Sequence, residues 1–166
     1  MSLLLVVMGV AGCGKSSLGS ALAQALGCPL IEGDDFHTEA NREKMRRGVA
    51  LDDRDREGWL DRLAAEMRLF PRGAVLTCSA LKRKYRDRLR AALPGLRFAY
   101  LRIDEAQARA RVSARAEHMF PPSLVPSQFA ALEPPEGEAG VLTLDAQRPV
   151  DELARHTLRW LQREGA

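Results

Sequence analysis

With 166 residues, 46% hydrophobic and 28% charged, the chain has the length and composition of one globular domain with a single adequate core. Its net charge of +3 suits anionic small molecules and is too weak to argue for nucleic acid. Cys13, Cys28 and Cys78 show neither paired nor metal-ligand spacing, no basic-then-apolar leader precedes the first apolar run, and no apolar stretch approaches the ~18 residues of a membrane span. Together these predict a reduced, cytoplasmic protein with no membrane partner.

In chain order, the apolar run 3–8 reads as a buried parallel strand. It leads into Gly9-Val10-Ala11-Gly12-Cys13-Gly14-Lys15-Ser16, the G-x-x-x-x-G-K-S phosphate-binding pattern, with Ser17 following. Glycines let such a loop curl with its N–H groups inward, and the helix predicted over 15–26 presents its positive end to the same anion. The pattern names a nucleoside triphosphate with Mg²⁺, with Lys15 on the β/γ-phosphates and the Ser16 hydroxyl on the metal. Further strands are predicted over 28–32, 74–78, 96–103 and 140–144. Further helices are predicted over 39–47, 56–69, 83–92, 105–116, 123–132 and 150–163. Alternating strands and helices imply βαβ crossovers. The expected fold is a three-layer α/β P-loop NTPase, a five-stranded parallel sheet with helices on both faces and a small lid. All 166 residues form one domain in this reading. A charged insertion at about 33–58 and a Pro-rich segment at about 116–127 interrupt the alternation, and long excursions of this kind are often binding segments or lids.

Ligands in such sheets gather beyond the carboxyl ends of the strands, so candidate residues should follow a strand. Asp34 follows the second strand. A carboxylate there can accept a proton from a substrate hydroxyl or hold Mg²⁺ through water, and its bland reading is a turn or N-cap aspartate. No aspartate ends the third strand, which makes Asp34 the leading metal-side carboxylate. His37, Asn41 and Lys44 lie beside it in sequence. The run Asp52–Arg56 is either a solvated helix start or carries an arginine aimed at an acidic substrate. Arg56 is the better candidate because Trp59, one turn on, is placed to pack against it. Ser79, with Lys82 or Arg83, begins a helix suited to an anionic or hydroxylated substrate. Arg109, Arg111 and Arg115 run toward the Pro-rich segment, where an arginine can fold over the γ-phosphate. Arg111 and Arg115 are favoured by their position ahead of His118.

These residues also form a family pattern. Gly9 to Ser16, Gly33-Asp34-x-x-His37, Asn41-x-x-Lys44-Met45-x-x-Gly48, Asp53-x-Asp55-Arg56-x-x-Trp59-Leu60 and Cys78-Ser79-Ala80-Leu81-Lys82-x-x-Tyr85-Arg86-Asp87 strongly resemble the gluconokinase family. Ala114-Arg115-x-x-His118-x-Phe120 and Ser127-Gln128-Phe129-x-x-Leu132-Glu133-x-Pro135 extend the resemblance to about residues 3–160. It implies ATP-dependent phosphorylation of D-gluconate to 6-phosphogluconate by a homodimer. Lys15, Asp34 and Arg115 would be catalytic, and Arg111 would join the loop in binding nucleotide. Asp34, His37, Asn41, Lys44, Arg56, Ser79 and Lys82 would bind substrate, with Ser16 and Asp34 on the metal side. The chain departs from the pattern at Thr38 and Gly58, where the family usually has proline, and at Glu117, where it usually has glycine. A carboxylate at Glu117 must point away from phosphate or pair with Arg115. Rival readings are a shikimate kinase-like enzyme, a nucleic-acid kinase and a nucleotide-dependent switch. The basic residues form no long stripe, against a nucleic-acid kinase. No N-K-x-D string is present and no D-x-x-G follows the third strand, both against a GTPase switch.

Overall fold

The computed structural model describes residues 3–115 and 120–165. Five parallel strands form one sheet in the order β2-β3-β1-β4-β5, with β1 Leu3–Met8, β2 Leu30–Glu32, β3 Gly73–Thr77, β4 Arg97–Arg102 and β5 Val141–Asp145. Among the described residues seven α-helices connect and cover them: α1 Lys15–Leu26, α2 Glu39–Arg46, α3 Asp53–Arg68, α4 Arg83–Ala92, α5 Glu105–Ala114, α6 Val125–Ala131 and α7 Val150–Gly165. Two 3-10 turns, Gly33–Phe36 and Pro122–Leu124, were not expected from the sequence.

The central strands are apolar almost throughout because both faces are covered. Every residue of β3 is buried, as are Leu5 to Met8 of β1. Leu18 and Leu22 of α1 and Leu60, Leu63 and Met67 of α3 enter the same core. α1 packs on β3 and α7, and α3 packs on β3 and α4. The boundaries that differ from expectation have local causes. α1 closes on Gly27 in the left-handed region (φ 66°), and Cys28 N–H is spent on Ala23 O at 3.0 Å, so β2 starts only at Leu30. α3 starts three residues earlier than its apolar periodicity suggests because Asp52 and Asp55 form a reciprocal capping box. Part of the charged run is thus a helix start, as its bland reading held. Thr38, at one of the proline positions of the family pattern, caps α2 by accepting from Asn41 N–H at 3.1 Å.

This strand order places the ends of β2, β3 and β1 side by side. Gly9 N–H donates to Ser79 O, and Gly33 N–H to Thr77 Oγ1 at 3.2 Å. Gly33 permits this approach, since a Cβ there would lie 2.2 Å from Thr77 O. The phosphate loop, the start of the insertion and the β3–α4 connection therefore share one edge of the sheet. Of the segment expected as a lid, 116–119, including Glu117 and His118, lies outside the described residues.

Candidate active site

The loop 9–16 has the backbone its sequence calls for. Gly12 and Gly14 sit at φ 84° and 97°, and a side chain at Gly12 would strike Ala108 O at 2.7 Å. Lys15 Nζ folds back on Gly9 O and Val10 O at 3.0 and 3.1 Å, within the cradle where phosphate oxygens would compete for it. Arg111 braces the loop from outside, donating to Gly12 O, Cys13 O and Ala146 O at 3.4, 3.3 and 3.0 Å. Val10 and Cys13 are buried, and burial raises the Cys13 thiol pKa, so Cys13 is a packing residue. Ser17 is an exposed residue of the first helical turn.

A carboxylate that the sequence reading passed over stands beside Ser16. Glu32 Oε2 accepts from Ser16 Oγ at 3.0 Å and from Thr77 Oγ1 at 2.7 Å. The end of β3, where a metal-side carboxylate is expected, holds Thr77. The neighbouring strand β2 supplies Glu32 instead, and its position as the last residue of that strand was the available signal. A hydroxyl and a carboxylate oxygen in contact are a donor set suited to Mg²⁺, which takes few protein ligands and keeps waters.

In front of the loop lies a cleft of about 310 Å³ lined by Ala11, Gly12, Gly14, Lys15, Ser16, Asp34, Asp35, Arg42, Met45, Ser79, Arg115, Phe120 and Gln128. Asp34 and Arg115 thus share one cavity with Lys15. Gln128, quoted in the family pattern without a role, accepts from Ala11 N–H through Oε1 at 3.1 Å and ties α6 to the loop. Arg109 is exposed and lines neither this cleft nor the one described next.

A smaller cavity of about 30 Å³ continues from Ser79, Met45 and Phe120 to His37, Arg56, Trp59, Leu124 and Ser127. Arg56 is 8% exposed, and its one described hydrogen bond goes from Nη1 to Tyr85 Oη at 3.2 Å. Arg56 and Trp59 line the same cavity, but the ring under the guanidinium is another one. Arg56 lies over Tyr85, 5.5 Å from the ring centroid. Trp59 instead stacks on His37 at 4.2 Å and donates Nε1–H to Gly33 O at 2.8 Å. His37 Nδ1 is buried without a partner, while Nε2 faces Asp34 Oδ1 at 3.9 Å. Burial lowers the His37 pKa to about 4, against the opposing pull of Asp34, so the ring is neutral at neutral pH.

The remaining substrate candidates serve structure in this conformation. Asn41 is buried and donates Nδ2–H to Asp55 O at 3.1 Å. Lys44 pairs with Asp55 at 2.7 Å, and Lys82 with Asp53 at 3.1 Å. None of the three lines either cavity.

A triphosphate-binding loop facing a cleft that runs on into the insertion defines the class, a P-loop small-molecule kinase using ATP. A family model described as an AAA domain matches residues 4–133. Gluconokinase of Gluconobacter oxydans is 40% identical over 96% of this chain and 92% of its own, and thermoresistant gluconokinase of Escherichia coli is 37% identical over 95% and 93%. A gluconokinase structure from Sinorhizobium meliloti superposes with a TM-score of 0.88 at 42% identity, covering 97% of this chain and 92% of that one. A sugar kinase structure from Janibacter sp. reaches 0.91 at 37%, covering 98% and 95%. The chain belongs to the gluconokinase family.

Proposed function

We propose that the chain transfers the γ-phosphate of ATP to the primary hydroxyl of D-gluconate, giving 6-phosphogluconate. The observation that carries the acceptor assignment is Arg56. Among the described residues no carboxylate pairs with this buried guanidinium, and a phenol oxygen is its one described hydrogen-bond acceptor. A buried cation without an anionic partner is costly, and a substrate carboxylate offsets that cost. The neutral His37 ring, Ser79 and Ser127 line the same cavity and offer hydrogen bonds to a polyol chain.

At the other end of the acceptor, Asp34 shares the cleft with Lys15 and Ser79. It receives or orients the proton of the attacking hydroxyl. Lys15 moves from its carbonyl cradle to the transferring phosphate, and Arg115, which lines the same cleft, meets that group as well. Ser16 and Glu32 would hold Mg²⁺, which would supply charge neutralisation for the phosphates when bound. The reading takes the chain as one cytoplasmic domain with the insertion at about 33–58 and the lid at about 116–127, and, as the family resemblance implies, as a homodimer.

The two ends of the acceptor are separable by kinetics. Arg56→Lys loses the bidentate fork and raises KM for gluconate about tenfold or more, with KM for ATP little changed. Asp34→Asn lowers kcat by about two to four orders of magnitude. Neutral sorbitol is a poor acceptor because it leaves the guanidinium unpaired. ADP release at saturating Mg²⁺ measures all three. Phosphorylation of sorbitol or shikimate as efficient as that of gluconate would overturn the assignment.

A further inference from the structure

Asp53 has no role in the acceptor site as described so far, yet three donors converge on it. Its Oδ2 accepts from Lys84 Nζ, and its Oδ1 accepts from the Tyr85 hydroxyl and from Lys82 Nζ, the last at 3.1 Å. The hydrogen bonds from Lys84, Tyr85 and Lys82 hold its carboxyl well below the usual carboxylate range. Burial raises the Tyr85 pKa, and the hydrogen bond to Asp53 raises it further, so the phenol keeps its proton.

An ionised carboxylate only accepts, so the single phenolic hydrogen is committed to Asp53. The Tyr85 oxygen is then left with its lone pairs toward Arg56 Nη1, 3.2 Å away. A phenol free to rotate would present its hydrogen to the guanidinium for part of the time, donor against donor. Asp53, at the first turn of α3, and Tyr85, on α4, thus set the direction in which the buried Arg56 is held.

We infer that Asp53 and Tyr85 form a proton-ordered relay that aims the Arg56 guanidinium at the acceptor's carboxylate, making both of them positioning residues for acceptor selection. The inference rests on the acceptor reading above. Neither residue lines either cavity, so they act through Arg56 and not on the substrate.

The relay predicts a split between KM for gluconate and KM for ATP that a purely structural role would not produce. Tyr85→Phe removes the acceptor of the Arg56 bond and raises KM for gluconate about tenfold, with KM for ATP changed less than about twofold. Asp53→Asn presents an amide that can donate to the phenol oxygen and turn the hydroxyl onto Arg56, so its gluconate KM rises at least as much. In the double variant the Asp53→Asn effect disappears, because no hydroxyl is left to reorient. Steady-state kinetics with gluconate and ATP each varied, with thermal melts alongside, decides the matter. Should Tyr85→Phe fail to fold, Asp53→Asn at its half-exposed position gives the same split alone. An unchanged gluconate KM in a folded single variant, equal rises for gluconate and ATP, or an Asp53→Asn effect that persists in the Tyr85→Phe background overturns the relay. A wild-type chain inactive on gluconate overturns the acceptor reading and the relay with it, whereas an active wild type with indifferent variants overturns the relay alone.

Discussion

At the scale of single residues, burial governs His37 more than its charged neighbour does. Its ring is sandwiched against Trp59, and Nδ1 has no acceptor within reach, so protonation would create a buried N–H with nothing to receive it. The pKa is lowered from 6.5 to about 4 in the fold, chiefly by burial, with Arg42 and Arg56 adding to the drop and Asp34 opposing it. Between these two values the unfolded chain binds a proton that the folded chain refuses. Stability therefore rises with pH across that window, and the contribution present above pH 6.5 is lost as the pH falls toward 4. Urea unfolding of wild type and His37→Gln at pH 7 and pH 4.5 measures it. Wild type should lose on the order of 2 kcal/mol more than the variant over that interval. Parallel loss in the two proteins would show that the ring titrates normally. The sequence marked His37 as a candidate, but its neutrality depends on Trp59, which meets it only after the insertion has folded back.

At the scale of elements, the connection from β3 to α4 is held in a shape the chain would not choose alone. Ala80 sits at φ 47°, the single non-glycine residue with positive φ among those described, at a cost of about 1 kcal/mol. Arg86, fully buried, supplies what fixes it there. Its Nη1 donates to Ala80 O at 2.7 Å and to Leu81 O at 3.1 Å, and Nη2 donates to Glu133 O and Glu138 Oε2 at 2.8 and 2.7 Å. Arg86→Met leaves Ala80 O, Glu133 O and much of the Glu138 carboxylate without their donor, while Leu81 O keeps Glu133 N–H. It should cost about 3–5 kcal/mol, while Arg86→Met with Glu138→Leu should recover part of that loss. Chemical denaturation of the three proteins checks it, and a single variant as stable as wild type would mean that the loop has another anchor. Helical periodicity locates α4 to the residue at both ends, but it does not show that Arg86 points inward. An arginine within a run of basic residues reads as solvated until the 133–138 loop is seen to cross it. Glu32 was hidden for a similar reason. Its partner Ser16 is 16 positions away, and only the pairing of β2 with β3 brings Thr77 to its carboxylate.

At the scale of the whole molecule, the sheet was legible and the insertion was not, for one physical reason. Strands buried on both faces must be continuous apolar runs, and the phosphate loop must follow one of them, so β1, β3 and the order of strands and helices are visible in the chain. The insertion is polar and short of apolar periodicity, so its packing is set by its partners in space. Met45 of α2 and Leu51 form a satellite cluster with Leu124, apart from the main core on the two faces of the sheet, and Phe120 packs against both. The insertion is therefore joined to the described part of the expected lid, 120–127, by a few apolar contacts, over the cavities that would take the acceptor. A cluster this small supports opening at a fraction of the global unfolding free energy. Hydrogen exchange should show amides of α2 exchanging through a low-energy opening while those of β3 exchange only with global unfolding. Gluconate with ADP should slow α2 strongly, because an acceptor held between Arg56 and Asp34 spans the insertion and closes it. Leu124→Ala should speed α2 exchange without changing β3 protection beyond the overall loss of stability. Protection of α2 equal to that of β3 in the absence of ligands would show that the insertion belongs to the main cooperative unit, and that acceptor entry needs some other opening.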